Sequence, residues 1–239
     1  MATSFLSDGT AYPGGKGRSY QHIINVMPPH SRYIETHLGA GAVMRTKRPA
    51  KINIGIEMDQ RVIERWRRIS RSDVQIIQGD ALQILPRLAV ENGDLVYCDP
   101  PFHPATRRRP RSYRHDLSAA DHERLLDSLT ALPCHVVLSG YANDLYERRL
   151  AAWTRTDFRT RTHARAVTES IWTNFQPGPV LHDYSFVGRC FRERERMRRR
   201  IDALRSRLTS ASDLERNAAL AALADTQPQT IVTAAERIR

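Results

Sequence analysis

The chain has 239 residues but little cysteine and no long apolar run. Its three cysteines, Cys98, Cys134 and Cys190, form no Cys-x-x-Cys pair, which argues against a disulfide framework or a zinc site and indicates a reducing compartment. No stretch approaches the roughly 20 apolar residues that a membrane span needs. The N-terminus lacks the basic-then-apolar pattern of a secretory signal. We therefore expect a cytoplasmic protein with no membrane partner and no bound metal.

Acidic residues are too few to balance the basic ones. The 37 Lys and Arg residues against 26 Asp and Glu residues give a formal net charge of +11. Nearly all of the excess lies in two stretches, residues 107–116 and 189–207. Clustered positive charge indicates a polyanionic partner, with nucleic acid as the first candidate and an acidic membrane surface as the second.

Short apolar strands alternate with helices along most of the chain. The pattern predicts strands over 32–35, 52–57, 74–77, 95–98 and 135–138, with helices over 60–70 and 118–129 between some of them. This alternation predicts a mostly parallel, doubly wound α/β sheet. The apolar runs 74–77 and 136–138 favour strands that helices cover on both faces.

After the fifth predicted strand, the sequence predicts a hairpin and then an Arg-rich helical segment. A late strand over 170–175 is expected to form a hairpin with 156–164. A helix over 191–208 carries a short heptad seam at Met197, Ile201, Leu204 and Leu208. We expect one α/β domain over 1–188 and an Arg-rich helical extension over 189–239.

Candidate ligand-binding residues follow the first three strands, where open α/β sheets bind ligands. Gly39 and Gly41 let the backbone turn tightly and approach a ligand closely. Glu57 ends the second strand, 16 residues after Gly41, and can accept hydrogen bonds from the ribose of an adenosine-containing cofactor. Asp80 follows the third strand and either caps the next helix or accepts from the adenine amine of that cofactor.

The segment Asp99-Pro100-Pro101-Phe102, after the fourth strand, is the most specific local signal. An exocyclic amine on a base is a poor nucleophile, because its lone pair is delocalised into the ring. Asp99 and the carbonyl of Pro100 can accept its two N–H groups, and the prolines stiffen the loop. Phe102 offers a flat face for a flipped-out base. One reaction that such a site suits is methylation of the amine. If the methyl donor is a sulfonium, its methyl group is already activated and the site needs no metal.

Five segments, in this order, resemble the Dam-type family of adenine-N6 DNA methyltransferases. They are Tyr12–Lys16, Tyr33–Val43, Gly55–Asp59, Asp99–Phe102 and Glu169–Phe175, and the match covers roughly residues 10–176. The resemblance implies a Rossmann-like class I fold and transfer of a methyl group from S-adenosyl-L-methionine to the N6 amine of adenine in DNA.

The resemblance also implies a role for each matching residue. Asp99 to Phe102 are the catalytic segment, and Asp99 contacts both the cofactor and the target amine. Glu57 holds the ribose of the cofactor and Asp80 its adenine. The other implied cofactor-binding residues lie in the N-terminal element, which contacts the methionine part, and in the loop after the first strand: Tyr12, Gly15, Lys16, Glu35, Gly39 and Gly41.

Three departures from the family pattern bear on function. Thr36-His37 replaces the usual Pro-Phe, with a packing role expected for His37, and Phe102 replaces Tyr. Only 18 residues separate Asp80 from Asp99, where the family inserts a target-recognition domain.

Substrate contact is then expected from the basic loop that follows the catalytic segment, through Arg107, Arg108, Arg109, Arg111, Tyr113 and Arg114. Such contacts predict relaxed or short-motif specificity. The helix over 189–208 can lie along a nucleic-acid backbone, form a homodimer or pack on the domain. Alternatives for the whole protein are methylation of RNA adenine, N4-methylation of cytosine in DNA, and a catalytically inactive nucleic-acid-binding module.

Overall fold

A computed structural model of the protein describes residues 19–69, 72–107, 114–161 and 166–236. The strands are β1 Arg32–Glu35, β2 Ile52–Glu57, β3 Gln75–Gln78, β4 Asp94–Cys98, β5 His135–Gly140, β6 Thr154–Arg161 and β7 Ala166–Thr173. The helices are α1 Tyr20–Ile24, α2 Ala42–Thr46, α3 Gln60–Arg68, α4 Ala81–Ile84, α5 Ala119–Thr130, α6 Asp144–Arg149, α7 Phe191–Ser210, α8 Asp213–Thr226 and α9 Pro228–Glu236. Two 3-10 turns lie at Leu85–Arg87 and Pro104–Thr106.

The seven strands form one sheet in the order β3-β2-β1-β4-β5-β7-β6. Strands β1 to β5 pair in parallel, whereas β7 pairs antiparallel with both β5 and β6. The predicted late hairpin is therefore the β6–β7 pair. The arrangement confirms the predicted fold class, a mostly parallel, doubly wound α/β sheet followed by C-terminal helices.

The strand order reverses direction between β1 and β4. From β1 the chain proceeds to β2 and β3 on one side, and from β4 it proceeds to β5 on the other. Because parallel crossovers are right-handed, the connecting helices lie on opposite faces of the sheet. Accordingly α1 packs near α2 and α4 packs near α5. The ends of β1 and β4 meet at this switch point, where Glu35 is in register with Tyr97, and such a point is where doubly wound sheets bind ligands.

The main hydrophobic core lies between the central strands and the helices of one face. Ile34, Val96 and Leu138 pack there with Leu125 of α5 and Trp172 of β7, and all five are buried. Helix α5 begins at a capping box of Ser118 and Asp121 and buries residues at helical spacing. The central strands are thus covered as their apolar sequences predict.

The third strand differs from that prediction. β3 is at the edge of the sheet, and its side chains are half-buried or exposed rather than covered on both faces. An apolar run such as Ile76-Ile77 predicts that its side chains are partly buried, but it does not predict which strand lies at the edge of the sheet. That position follows from the direction of the crossovers.

The chain divides into two compact units, one ending at Tyr184 and the other beginning at Ser185. The predicted boundary at 188/189 falls just inside the second unit. Helix α7 begins and ends within two residues of its predicted range, and none of its side chains is fully buried. No helix in the part of the chain that the structure describes combines the length and apolar character needed to cross a bilayer.

Candidate functional site

The loop between β1 and α2 has the close-approach geometry that its glycines predict. Gly39 and Gly41 have φ values of 47° and 57°, in the left-handed region that favours glycine. The carbonyl of Gly39 accepts a hydrogen bond from Trp66 Nε1 at 2.9 Å, and its N–H donates to Glu57 Oε2 at 2.7 Å. Residues of β2 and α3 therefore hold this loop in shape.

Glu57 is buried at the end of β2 and accepts backbone hydrogen bonds both from the loop after β1 and from the residues that follow β2. Its second oxygen accepts from the backbone N–H of Asp59 at 2.8 Å. Burial raises the pKa of Glu57, while the backbone hydrogen bonds from Asp59, Gly39 and Met58 oppose that rise. The predicted ribose contact would thus come from a carboxylate that the surrounding backbone already orients.

Gly41 offers a test of the loop's packing. A Cβ at this position would lie 2.2 Å from Trp66 Cζ2, and the backbone is left-handed, so both overpacking and strain oppose a larger residue. We expect Gly41→Ala to lower the free energy of unfolding by about 2–4 kcal/mol, measured by urea denaturation. Gly178→Ala is the matched control, because nothing lies within 4 Å of its Cβ position. Equal stabilities of the two variants would contradict the loop geometry.

Glu35, at the end of β1, is a buried carboxyl group close to Asp99. It accepts hydrogen bonds from the hydroxyl of Tyr33 at 3.0 Å and from the N–H of Met44 at 3.1 Å. Burial, and next the charge of Asp99, raise the pKa of Glu35 to about 8, although these hydrogen bonds and Lys47 oppose the rise. The switch point therefore contains two neighbouring carboxyl groups, one of which is predominantly protonated at pH 7.

A directional chain of hydrogen bonds orients Asp99 at the end of β4. Ser139 Oγ donates to Asp99 Oδ1 at 2.9 Å and lies 2.9 Å from the hydroxyl of Tyr97. Because Ser139 has one hydroxyl hydrogen, Tyr97 is the donor in the second contact. Burial raises the pKa of Tyr97, so this hydroxyl keeps its proton. Sequence reasoning missed Ser139, although its place in the strand after the catalytic segment was a usable signal.

Phe102 lies against a second aromatic ring that the sequence analysis also missed. Pro100 and Pro101 lead the chain from Asp99 to Phe102, and Pro100 is buried. The ring centroids of Phe102 and Tyr141 are 4.3 Å apart, with 36° between their planes. Tyr141 directly follows β5, the neighbour of β4 in the sheet. The mouth of the sheet thus carries two aromatic rings beside one oriented carboxylate.

His37 lies against Thr36 and Cys98, and its packing role stays a prediction. Its Nδ1 lies 2.9 Å from Thr36 Oγ1 and 3.8 Å from Cys98 Sγ. Burial lowers the pKa of His37 to about 4, so the ring is neutral at pH 7. It brings no positive charge to the neighbouring carboxyl groups.

Asp80 caps α4, as one of its two predicted roles requires. Its Oδ1 accepts from the N–H of Leu82 at 2.9 Å. A contact with cofactor adenine stays a prediction. Between Asp80 and Asp99 the chain forms only α4, one 3-10 turn and β4, so the structure has no recognition domain there.

Arg107 is the first arginine of the basic loop after the catalytic segment, and its side chain is only 5% exposed. Its guanidinium pairs with Asp116 at 2.9 Å and donates to the carbonyls of Leu117 and Phe102. The prediction that Arg107 contacts phosphate is therefore corrected, because its donors face the protein interior. Arg114 is half-exposed and lies 3.5 Å from Asp59.

Several predicted site residues lie outside the residues that the structure describes. They are Tyr12, Gly15 and Lys16 of the N-terminal element, and Arg108, Arg109, Arg111 and Tyr113 of the basic loop. Their predicted roles stay predictions.

The late segment Glu169–Phe175 contributes structure rather than chemistry through its best-defined members. Trp172 is buried in the core. Asn174 binds the beginning of β5, accepting from the N–H of Val136 and donating to the carbonyl of Cys134, both at 2.8 Å. Glu169 is buried and accepts from Ser19 Oγ at 3.0 Å.

Comparisons with known proteins find no matching family model and no matching curated protein. Similar solved structures include a precorrin-8w decarboxylase from Methanobacterium thermoautotrophicum, at 9% identity and a TM-score of 0.45, with 69% of this chain and 94% of that chain covered. The N-methyltransferase NodS from Bradyrhizobium japonicum WM9 is 16% identical, with a TM-score of 0.44 and coverages of 67% and 95%. A dimethyladenosine transferase from Plasmodium falciparum is 13% identical, with a TM-score of 0.42 and coverages of 65% and 60%. Likenesses this distant carry no argument about the activity of this chain.

Proposed function

We propose that the protein is a small Dam-like methyltransferase that transfers a methyl group from S-adenosyl-L-methionine to the N6 amine of adenine in DNA. One observation carries the proposal: Asp99 lies at the switch point of the sheet, oriented by Ser139 and followed by Pro100, Pro101 and Phe102. Ligand binding at this point is typical of doubly wound sheets.

The arrangement suits an exocyclic amine as the acceptor of the methyl group. A carboxylate and a proline carbonyl accept the two N–H groups and favour a more tetrahedral nitrogen, whose lone pair is then available. The hydrogen bond from Ser139 orients Asp99 before the substrate arrives, so little reorganisation accompanies the reaction. Phe102 and Tyr141 provide aromatic faces for a base taken out of the duplex stack.

The residues of the switch point also fit the proposed cofactor. Glu35 and Asp99 are close enough for the charge of Asp99 to raise the pKa of Glu35. A ligand that carries positive charge favours the ionised form of Glu35 beside Asp99. S-Adenosyl-L-methionine, with its sulfonium and ammonium groups, is such a ligand and supplies an already activated methyl group. Among the described residues, we assign its binding to Glu35, Gly39, Gly41, Glu57, Asp80 and Asp99.

The proposed specificity is relaxed or limited to a short motif. The short connection between Asp80 and Asp99 leaves no inserted domain to read bases, and contacts from arginine to phosphate carry no sequence information. Methylation mapping on random-sequence DNA is expected to find modified adenines in many contexts. A single long recognition sequence would contradict this expectation.

The function is tested by transfer of tritiated methyl groups to duplex DNA, single-stranded DNA and RNA, followed by nucleoside analysis. N6-methyladenine formed in DNA supports the proposal. A preference for RNA or a product of N4-methylcytosine would replace the substrate while keeping the chemistry. Absence of cofactor binding by calorimetry would indicate an inactive nucleic-acid-binding module instead.

Cofactor affinity is expected to depend on pH through Glu35. In the free protein this group has a pKa of about 8, so below that pH it is mostly protonated. A bound cation lowers this pKa, so binding releases protons and affinity rises as pH increases toward about 8. Calorimetry between pH 6.5 and 8.5 checks this, with Glu35→Gln as the variant that removes this component. Identical pH profiles for the two proteins would refute the assignment.

A further inference from the structure

Helix α7 carries its arginines in two groups that differ in their partners. Arg194, Arg198 and Arg205, here called the paired flank, donate respectively to the carbonyl of Gly188, to Glu195 and to Asp202. The other group, here called the arginine face, consists of Arg192, Arg196, Arg199, Arg200 and Arg207. All five members of the arginine face are exposed. None of them has a hydrogen-bond or ion-pair partner among the residues that the structure describes.

The five unpaired arginines share one side of the helix. With 3.6 residues per turn, they fall within about 100° of the helix circumference, while the paired flank lies on the opposite side. All three acidic residues of α7 fall outside the arginine face: Glu195 and Asp202 pair with the paired flank, and Glu193, next to the edge of the face, accepts a hydrogen bond from the backbone N–H of Arg189. Positive charge is therefore left unneutralised along one side only, over about 22 Å of helix axis from Arg192 to Arg207.

We infer that the arginine face of α7 binds the phosphate backbone of nucleic acid, and this inference rests on the proposed function for the choice of partner. A duplex carries one phosphate charge for each ~1.7 Å of its axis, so a 22 Å row of guanidinium groups meets a continuous series of acceptors. Guanidinium groups also match phosphate oxygens in geometry, since each can donate two parallel hydrogen bonds.

Other occupants fit the face less well. A second copy of α7 packed through the arginine face would oppose like charges, which disfavours the homodimer on this side. A helix lying on an anionic membrane needs a broad apolar face with aromatic anchors. The apolar seam of α7, formed by Met197, Ile201, Leu204 and Leu208, is narrow, and the single aromatic residue of the helix, Phe191, lies at its first position and outside the seam.

Two charge-matched triple variants separate a binding face from a general effect of charge. Arg192→Gln, Arg196→Gln and Arg199→Gln remove three charges from the arginine face. Arg194→Gln, Arg198→Gln and Arg205→Gln remove three from the paired flank. Glutamine keeps a helix propensity close to that of arginine, and far-UV circular dichroism verifies that each helix remains.

The measurement is fluorescence anisotropy of a random-sequence 20-base-pair DNA duplex, without cofactor, at several salt concentrations. The face variant is expected to bind at least about tenfold more weakly at 0.1 M salt. Its slope of log K against log salt should be shallower by about 2.7, that is 0.9 for each of three lost phosphate contacts. The flank variant should stay within about threefold of the wild type, because its guanidiniums already have partners in the helix.

If both variants lose the same amount of DNA affinity, net charge explains the binding and the inference is overturned. If the face variant loses binding to phosphatidylserine vesicles but keeps its DNA affinity, the face binds a membrane and the inference is overturned. If the face variant alone loses DNA affinity but no nucleic acid is methylated, the inference stands and the proposed function fails. If DNA adenine is methylated but both variants bind DNA alike, the proposed function stands and the inference fails.

Discussion

Replacing Asp99 by Ala is expected to abolish methyl transfer while leaving the fold intact. The side chain is the acceptor that orders the target amine, and Ser139 holds it in place through a 2.9 Å hydrogen bond. Asp99→Asn keeps the shape and the contact with Ser139 but loses the negative charge. We expect kcat to fall by at least about 10²–10³-fold in Asp99→Asn, the scale seen when one preorganised polar contact to a transition state is removed.

Stability is not expected to fall with activity in the Asp99 variants. Burial, and next the charge of Asp99, raise the pKa of Glu35, so removing that charge makes the ionised form of Glu35 less unfavourable in the folded protein. Thermal unfolding and tritium transfer are measured on the same preparations. Asp144→Asn, an exposed aspartate in the first turn of α6, is the control that should keep full activity. An Asp99→Ala protein that still turns over substrate would remove the basis of the proposed function.

Replacing Phe102 by Ala is expected to raise KM for DNA far more than it changes the cofactor affinity. Stacking of a base on an aromatic side chain contributes about 1–3 kcal/mol, which corresponds to a KM increase of roughly 5- to 150-fold. The ring lies 4.3 Å from that of Tyr141 in the described structure, so a base that stacks on Phe102 also meets this neighbour. Tyr141→Ala should therefore raise KM in the same direction.

Conservative variants distinguish stacking from general packing at this position. Phe102→Tyr keeps the flat ring and should retain a KM close to the wild-type value. Phe102→Leu keeps an apolar side chain without the flat face and should resemble Phe102→Ala. Steady-state kinetics with a fixed, saturating cofactor concentration give these values. A KM that is the same for Phe102→Leu and the wild type would exclude stacking as the role of this ring.

Much of the fold could be predicted from local patterns. The ranges of β1 and β2 agree with the strands predicted at 32–35 and 52–57, and α5 begins at the Ser118 cap. The hairpin of β6 and β7 was also expected, with shifted ends. Such features depend on the periodicity and end signals within windows of a few residues, and the amino-acid order alone contains this information.

The candidate site could be predicted only in part. Asp99 and Phe102 are recognisable because they are consecutive with the prolines between them. Ser139 and Tyr141 are not, since their contacts with Asp99 and Phe102 exist only because β5 is adjacent to β4. The basic neighbours of Arg107 predict a phosphate ligand, but its guanidinium pairs with Asp116 and its side chain is almost fully buried.

By itself, the sequence determined the alternation of strands and helices, the excess of positive charge, and the carboxyl and aromatic residues that follow the strands. Tertiary structure decided that β3 is an edge strand, that Ser139 orients Asp99, and that burial, together with the charge of Asp99, raises the pKa of Glu35. The physical reason is the distance along the chain over which each interaction acts. Helix and strand formation respond to near neighbours along the chain, whereas burial, pKa shifts and hydrogen-bond partners depend on which distant segments the strand order brings together.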